Sequence, residues 1–260
     1  MSCYLYSLLS AASIAMGPSS DNPAPTSRAP MYIAAETPTD PALLELNSTR
    51  EKVGKLAHQD PTVMKNYDLL IGSINTAYVQ EKTFNAQEIK ILCTAIEFVA
   101  EKHQFQTRKN PAKTPYISHL LGVAYNVMSL GGVRDPNVIV AALLHDVVED
   151  TSTSLSEVQE KFGDQVASLV KEVTDDKSLP SEARKQHQIE SAADTSIGAA
   201  QIKLADSLYN LHDLSAGTPL GWSQARVDQY YAWTQAKVDR LPKVDGELYL
   251  AVKAEISAHQ

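Results

Sequence analysis

Val138-Ile139-Val140-Ala141-Ala142-Leu143-Leu144-His145-Asp146-Val147-Val148-Glu149-Asp150 decides how this chain is read. An apolar run of seven residues leads straight into a segment with four ionisable side chains. Asp135-Pro136 in front supplies an N-cap with proline at the first helical position. The apolar run reads as buried. Charge at its end costs several kcal/mol per ion, roughly, unless it is paired or metal-bound. On a continuous helix His145 and Glu149 stack at i,i+4, and so do Asp146 and Asp150. One imidazole and three carboxylates then face one small volume, which is the composition of a metal-dependent hydrolytic site.

Outward from that stretch, helical punctuation repeats. Asn85 with Glu88 resembles a capping box, and Ile89, Leu92, Ile96 and Val99 follow as an apolar stripe. A polar loop from Gln104 to Thr114 contains Arg108-Lys109-Asn110-Pro111. Tyr116 to Leu130 reads as a helix ended by Gly131-Gly132. Ser154 with Glu157 opens a short helix to Gly163, and Asp164 opens another to Val173. Residues 181–192 are helical and polar, and residues 197–214 are helical. Gly221 to Leu241 is a long helix bearing Trp222, Tyr230, Tyr231 and Trp233, and Val244 to Ala258 closes the chain. No segment alternates as a strand does, so the expected fold is all-α.

Three regions are expected: a leader and linker over 1–41, a peripheral helical extension over 42–84, and the main domain over 85–260. Met1 to Met16 is apolar and Ser/Ala-rich, with Ser13-Ile14-Ala15 as a cleavage-like site, but no Lys or Arg precedes Arg28. It reads either as signal-like or as a disordered or loosely helical end. Prolines 18, 23, 25, 30, 38 and 41 mark the linker. A cytoplasmic location is expected, with a cleaved signal left open. Cys3 and Cys93 are too few for a disulfide framework.

The 260-residue chain is 43% hydrophobic and 21% charged, an ordinary globular composition. Its net charge of -8 argues against nucleic acid or an anionic membrane as partner. A phosphorylated small molecule stays open, served by a local basic cluster. No run reaches the ~18 apolar residues of a membrane span. The oligomeric state is not legible.

His119 alone, in Thr114-Pro115-Tyr116-Ile117-Ser118-His119, reads as a hydrogen-bonded structural histidine, and Asp206 alone as a surface carboxylate. Together His119, His145, Asp146 and Asp206 make two imidazoles and two carboxylates. That set suits a borderline divalent metal (Mn, Fe, Co, Ni or Zn) with positions open for water and a phosphate oxygen.

His119…His145-Asp146…Asp206 resembles the metal motif of the HD-domain family. Thr114-Pro115-Tyr116-Ile117, Ala141 to Thr151, Glu172-Val173-Thr174-Asp175-Asp176-Lys177 and Lys203-Leu204-Ala205-Asp206 are similar to the hydrolase domain of RelA/SpoT homologues, the stand-alone metazoan-type small alarmone hydrolases above all. The resemblance covers about residues 88–245. It implies an all-helical HD bundle and Mn²⁺-dependent removal of the 3′-pyrophosphate from guanosine 3′,5′-bis(diphosphate), giving GDP and pyrophosphate. It makes His119, His145, Asp146 and Asp206 the metal ligands, and Glu149 and Asp150 the residues that position and activate water. It places Arg108 and Lys109 on phosphate, Tyr116 on the nucleoside, Asn210 on ribose or phosphate, and Arg226 and Tyr230 on the pocket wall. Ser181 stands where the family often has a basic residue, which puts the substrate in question more than the hydrolysis. Two alternatives remain: an HD phosphatase for another nucleotide such as NADPH, and a non-catalytic nucleotide-binding module. The intact ligand set with Glu149-Asp150 weighs against the second. The stretch after Asp206 is too short for a second catalytic domain, so a bifunctional synthetase–hydrolase is not expected.

Overall fold

The computed structural model describes residues 40–244 and 246–259. The expected leader and most of the linker lie outside the described residues. Among the described residues twelve α-helices follow in order: α1 (Pro41–Leu56), α2 (Pro61–Asn75), α3 (Ala86–Lys102), α4 (Ile117–Ser129), α5 (Pro136–Leu144), α6 (Val147–Asp150), α7 (Leu155–Phe162), α8 (Asp164–Val173), α9 (Ser181–Glu190), α10 (Ile197–Ala216), α11 (Gln224–Val238) and α12 (Glu247–His259). A π turn extends α2 over Thr76–Gln80, and a 3-10 turn follows α9 over Ser191–Asp194. Among the described residues there is no strand, only an isolated bridge between Thr107 and Pro115. The fold is all-α, as the sequence indicates.

Local chemistry starts these helices where expected. Asn85 and Glu88 form the full capping box of α3, and Asp135 caps α5 with Pro136 in its first turn. Ser154 caps α7. Pro41 does not break structure; it opens α1 behind the Asp40 cap, because its missing N–H has no helical partner to lose there.

The core is centred on α5, where every residue from Val138 to Leu144 is buried. It packs against α3, α4, α8 and α10, so no face is left for polar side chains. Each fully buried Leu or Ile contributes roughly 1.5–3 kcal/mol. The 42–84 segment is not an outer layer: Val53, Val63, Tyr67, Leu70 and Ile74 are fully buried in the common core. In this way α1 packs on α3 and α2 on α4. The weak periodicity of this segment hid its buried face. The three innermost helices, α4, α5 and α10, also carry or adjoin the four candidate ligands, so the best-packed part of the fold holds the site.

Candidate active site

His119 lies in the first turn of α4, His145 and Asp146 immediately follow α5, and Asp206 sits mid-way along α10. Their side chains converge. The two imidazole Nε2 atoms are 3.2 Å apart. Asp206 Oδ1 is 3.2 Å from His119 Nε2 and 3.7 Å from His145 Nε2. Asp146 Oδ2 is 3.1 Å from His145 Nε2 and 3.5 Å from His119 Nε2. One ligand atom each from His119, His145 and Asp206 lies within 4.8 Å of the others, while Asp146 stands outside that trio though it approaches both imidazoles.

This donor set fits a divalent cation. His145 Nδ1–H donates to the Ala142 carbonyl at 2.8 Å, which leaves the Nε2 lone pair aimed at the cluster. Lone pairs and carboxylates aimed at one point repel unless a positive charge stands among them. The electrostatics say the same. Burial works against charge on His145, yet Asp146 and then Asp206 outweigh it and hold the imidazole well above its usual range. Burial likewise opposes charge on Asp146 and Asp206, but the two histidines hold both carboxyls well below theirs.

The helix does not run continuously through the quoted stretch. It ends at Leu144, turns at His145 and Asp146, and restarts as α6. Asp146 has φ -99° and ψ -5°, at the edge of the right-handed helical region and well off ideal helix values. The four ionisable groups therefore do not share one volume. Asp146 and Asp150 meet at the Tyr116 hydroxyl, which lies 2.7 Å from Asp146 Oδ2 and 3.4 Å from Asp150 Oδ2. Glu149 turns toward the segment after α8, where the Asp175 N–H points at its Oε2 from 3.4 Å. Lys177 Nζ is 3.9 Å and an Arg184 guanidinium nitrogen 4.0 Å from Glu149 Oε1. Burial first, then Asp175 and Asp146, push the Glu149 carboxyl up to about 7. Lys177 also pairs with Asp150 at 2.7 Å.

Beside this cluster opens a cleft of about 280 Å³, lined in part by Arg108, Lys109, Tyr116, Asp150, Asn210 and Tyr230. Five of the six expected substrate contacts thus line one wall system. The sixth, Arg226, does not line it; its guanidinium lies 4.2 Å over the ring of Trp222, which does.

Three expected contacts are already engaged within the protein. Arg108 Nε pairs with Asp213 at 2.9 Å and its terminal nitrogen donates to Asn210 Oδ1. Asn210 donates in turn to Asp206 Oδ1 at 2.7 Å. Tyr116 spends its hydroxyl on Asp146 and stacks one face on His103 at 5.1 Å. Lys109 is the exposed cation on the cleft wall.

Several residues at the site were not singled out from sequence. Asp213 and Trp222 line the cleft, and Tyr209 packs on His119 with ring centroids 5.1 Å apart. Lys237 is buried over the Trp233 ring at 4.5 Å, and burial pushes its ammonium down to about 8. One signal was available: Asp206, Asn210 and Asp213 form a polar stripe at helical spacing along α10.

The family model described as "HD domain" matches residues 95–230. A mouse protein named guanosine-3′,5′-bis(diphosphate) 3′-pyrophosphohydrolase MESH1 is 50% identical over 162 residues, 62% of this chain and 90% of its own length. The Drosophila melanogaster protein of the same name is 48% identical over 155 residues, 60% of this chain and 87% of its own. A solved structure described as a metazoan ortholog of SpoT that hydrolyzes ppGpp superposes with a TM-score of 0.63 at 44% identity, covering 65% of this chain and 94% of that one.

Proposed function

This chain belongs to the HD-domain family, and on that premise we propose that it is a guanosine-3′,5′-bis(diphosphate) 3′-pyrophosphohydrolase. The enzyme hydrolyses the 3′ ester of a nucleotide that carries a diphosphate on each side. Water adds its oxygen to the phosphorus bound to the 3′ oxygen, the P–O3′ bond breaks, and a proton passes to the 3′ oxygen. GDP and pyrophosphate leave. One observation carries the reading: His119, His145 and Asp206 close on one point, with Asp146 against both imidazoles, in a chain 50% identical over 162 residues to a hydrolase of that name, nine-tenths of that protein's length.

The site residues divide the work. His119, His145, Asp146 and Asp206 hold the metal, with Mn²⁺ the ion expected. When bound, that ion supplies Lewis acidity toward phosphate oxygens and makes water a better nucleophile at neutral pH. Glu149, with its carboxyl near 7, exchanges a proton with water close to neutrality, where general acid–base catalysis is most effective. Asp150 faces both the cleft and the Tyr116 hydroxyl, a position from which it orients water. Lys109 offers charge to a diphosphate on the cleft wall. Arg108 and Asn210 fix the Asp206 carboxylate and present their remaining donors to the nucleotide. Tyr230 and Trp222, the latter backed by the Arg226 guanidinium, line the cleft, where a purine ring finds aromatic surface. A nucleotide substrate goes with the cytoplasmic setting expected, and no helix among the described residues is long and apolar enough to cross a membrane.

His145→Ala and Asp206→Ala test the metal assignment. Both should stay folded by circular dichroism, lose bound Mn²⁺ and lose hydrolysis. Full metal content or full turnover in either would remove this site as the catalytic centre.

A further inference from the structure

The two metal-site histidines are held in different ways. His145 is fixed by its hydrogen bond to the Ala142 carbonyl. His119 is as deeply buried, yet its Nδ1 has no hydrogen-bond partner among the described residues. Metal-ligating imidazoles almost always use that second nitrogen to set the ring orientation. His119 must be oriented by what packs against it. Besides the His145 ring, at 5.1 Å and 64°, two tyrosine rings meet it edge-on: Tyr116, at 5.6 Å and 68°, and Tyr209, at 5.1 Å and 72°. Tyr116 is anchored by its bond to Asp146.

Tyr209 is anchored from another quarter. Asn66, on α2, donates one amide hydrogen to the Tyr209 hydroxyl oxygen at 2.9 Å. It donates to the carbonyl of Ser118, the residue before His119, at 2.7 Å. The buried residues of α2 are Val63, Tyr67, Leu70 and Ile74. Gly122, on α4, leaves the room that the Tyr209 ring fills; a Cβ there would overlap it. A single side chain on α2 therefore restrains both the backbone that bears His119 and the ring that packs on its imidazole.

We propose that Asn66 is a positioning residue for the metal centre, acting on His119 through Tyr209 and the Ser118 carbonyl. The HD match begins at residue 95, so the support comes from a helix outside the matched domain. The helix pair α1–α2 is then part of the catalytic apparatus of this chain and not a separate appendage. The proposal rests on His119 being a metal ligand.

The test uses the full-length protein. Asn66→Leu keeps the size and removes both donors. Asn66→Asp keeps the shape and turns an oxygen toward the Ser118 carbonyl. Tyr67→Phe is the control: it lies on the same helix and loses a buried hydrogen bond to the Leu46 carbonyl, but does not touch His119. Each metal-free protein is titrated with Mn²⁺, and its Tm is recorded. Loss of such outer-shell partners typically weakens metal binding about 10–100-fold. Both Asn66 variants should show a loss in that range, with Tyr67→Phe lowering Tm at unchanged affinity. Tyr209→Phe, which keeps the ring and removes the acceptor, should fall between, and it stands in for any Asn66 variant that fails to fold. Wild-type Mn²⁺ affinity in Asn66→Leu, or in Tyr209→Phe where it stands in, overturns the proposal. So does a loss that Tyr67→Phe reproduces. A wild-type protein that takes up no divalent ion would sink the metal assignment first, and this inference with it.

Discussion

Glu149→Gln separates the cost of a buried charge from its use. The Glu149 side chain is only 21% exposed, and burial together with Asp175 and Asp146 lifts its carboxyl from 4.5 to about 7. The folded protein then holds a proton that the unfolded chain has released. Stability must therefore fall as pH rises through the window from 4.5 to 7, and level off above it. Integrating that difference between pH 5 and pH 8 gives about 2.5 kcal/mol of lost stability from this one group. Glutamine keeps the shape and the acceptor that faces the Asp175 N–H, and does not titrate. Denaturant unfolding of metal-free wild type and variant across pH 5–8 reads this contribution, because groups not coupled to Glu149 cancel in the difference. The variant should gain on the wild type by about 2–3 kcal/mol over that range. Its turnover with metal restored should fall by roughly 10²–10⁴-fold, the usual worth of general acid–base catalysis. A stability difference that stays flat with pH would refute the raised carboxyl, and an unchanged kcat would make Glu149 a structural residue.

Other outcomes follow from the same geometry. Lys109→Ala should raise KM with little change in kcat, since a cation on the cleft wall binds ground state and transition state about equally. Arg108→Ala should lower kcat as well, because Arg108 steadies Asn210 and so Asp206; steady-state kinetics that reversed the two patterns would break that chain. Gly122→Ala should destabilise by about 1–3 kcal/mol through its clash with Tyr209, and a neutral effect on Tm would show the ring free to move. Removing residues 1–39 should leave kcat and KM nearly unchanged, while removing residues 1–80 should abolish folding, because α1 and α2 carry fully buried core residues.

Much of this was legible in the sequence, for physical reasons. Asn85, Asp135-Pro136 and Ser154 announce helix starts through short-range hydrogen bonds that a sequence displays directly. His145-Asp146 stands out because charge beside an apolar run has few other uses, whereas His119 and Asp206 read alone as a structural histidine and a surface carboxylate and join the set through the resemblance to the HD-domain motif. The break at His145-Asp146 was not, since nothing local in Leu144-His145-Asp146-Val147 forbids a helix; the long-range convergence on His119 and Asp206 accompanies it. Nor was the pairing of Arg108 with Asp213 and Asn210, which joins residues more than a hundred positions apart. The buried face of α2 was hidden because Asn66 interrupts its apolar pattern, and its partners, Ser118 and Tyr209, lie far along the chain.

The most direct test of the account is product analysis. Full-length protein, stripped with a chelator and reconstituted with Mn²⁺, is incubated with guanosine 3′,5′-bis(diphosphate), and the products are separated by ion exchange. GDP and pyrophosphate should appear in equal amounts, with no turnover before Mn²⁺ is restored. Stepwise release of single phosphates, or turnover of NADPH with the alarmone left intact, would contradict it.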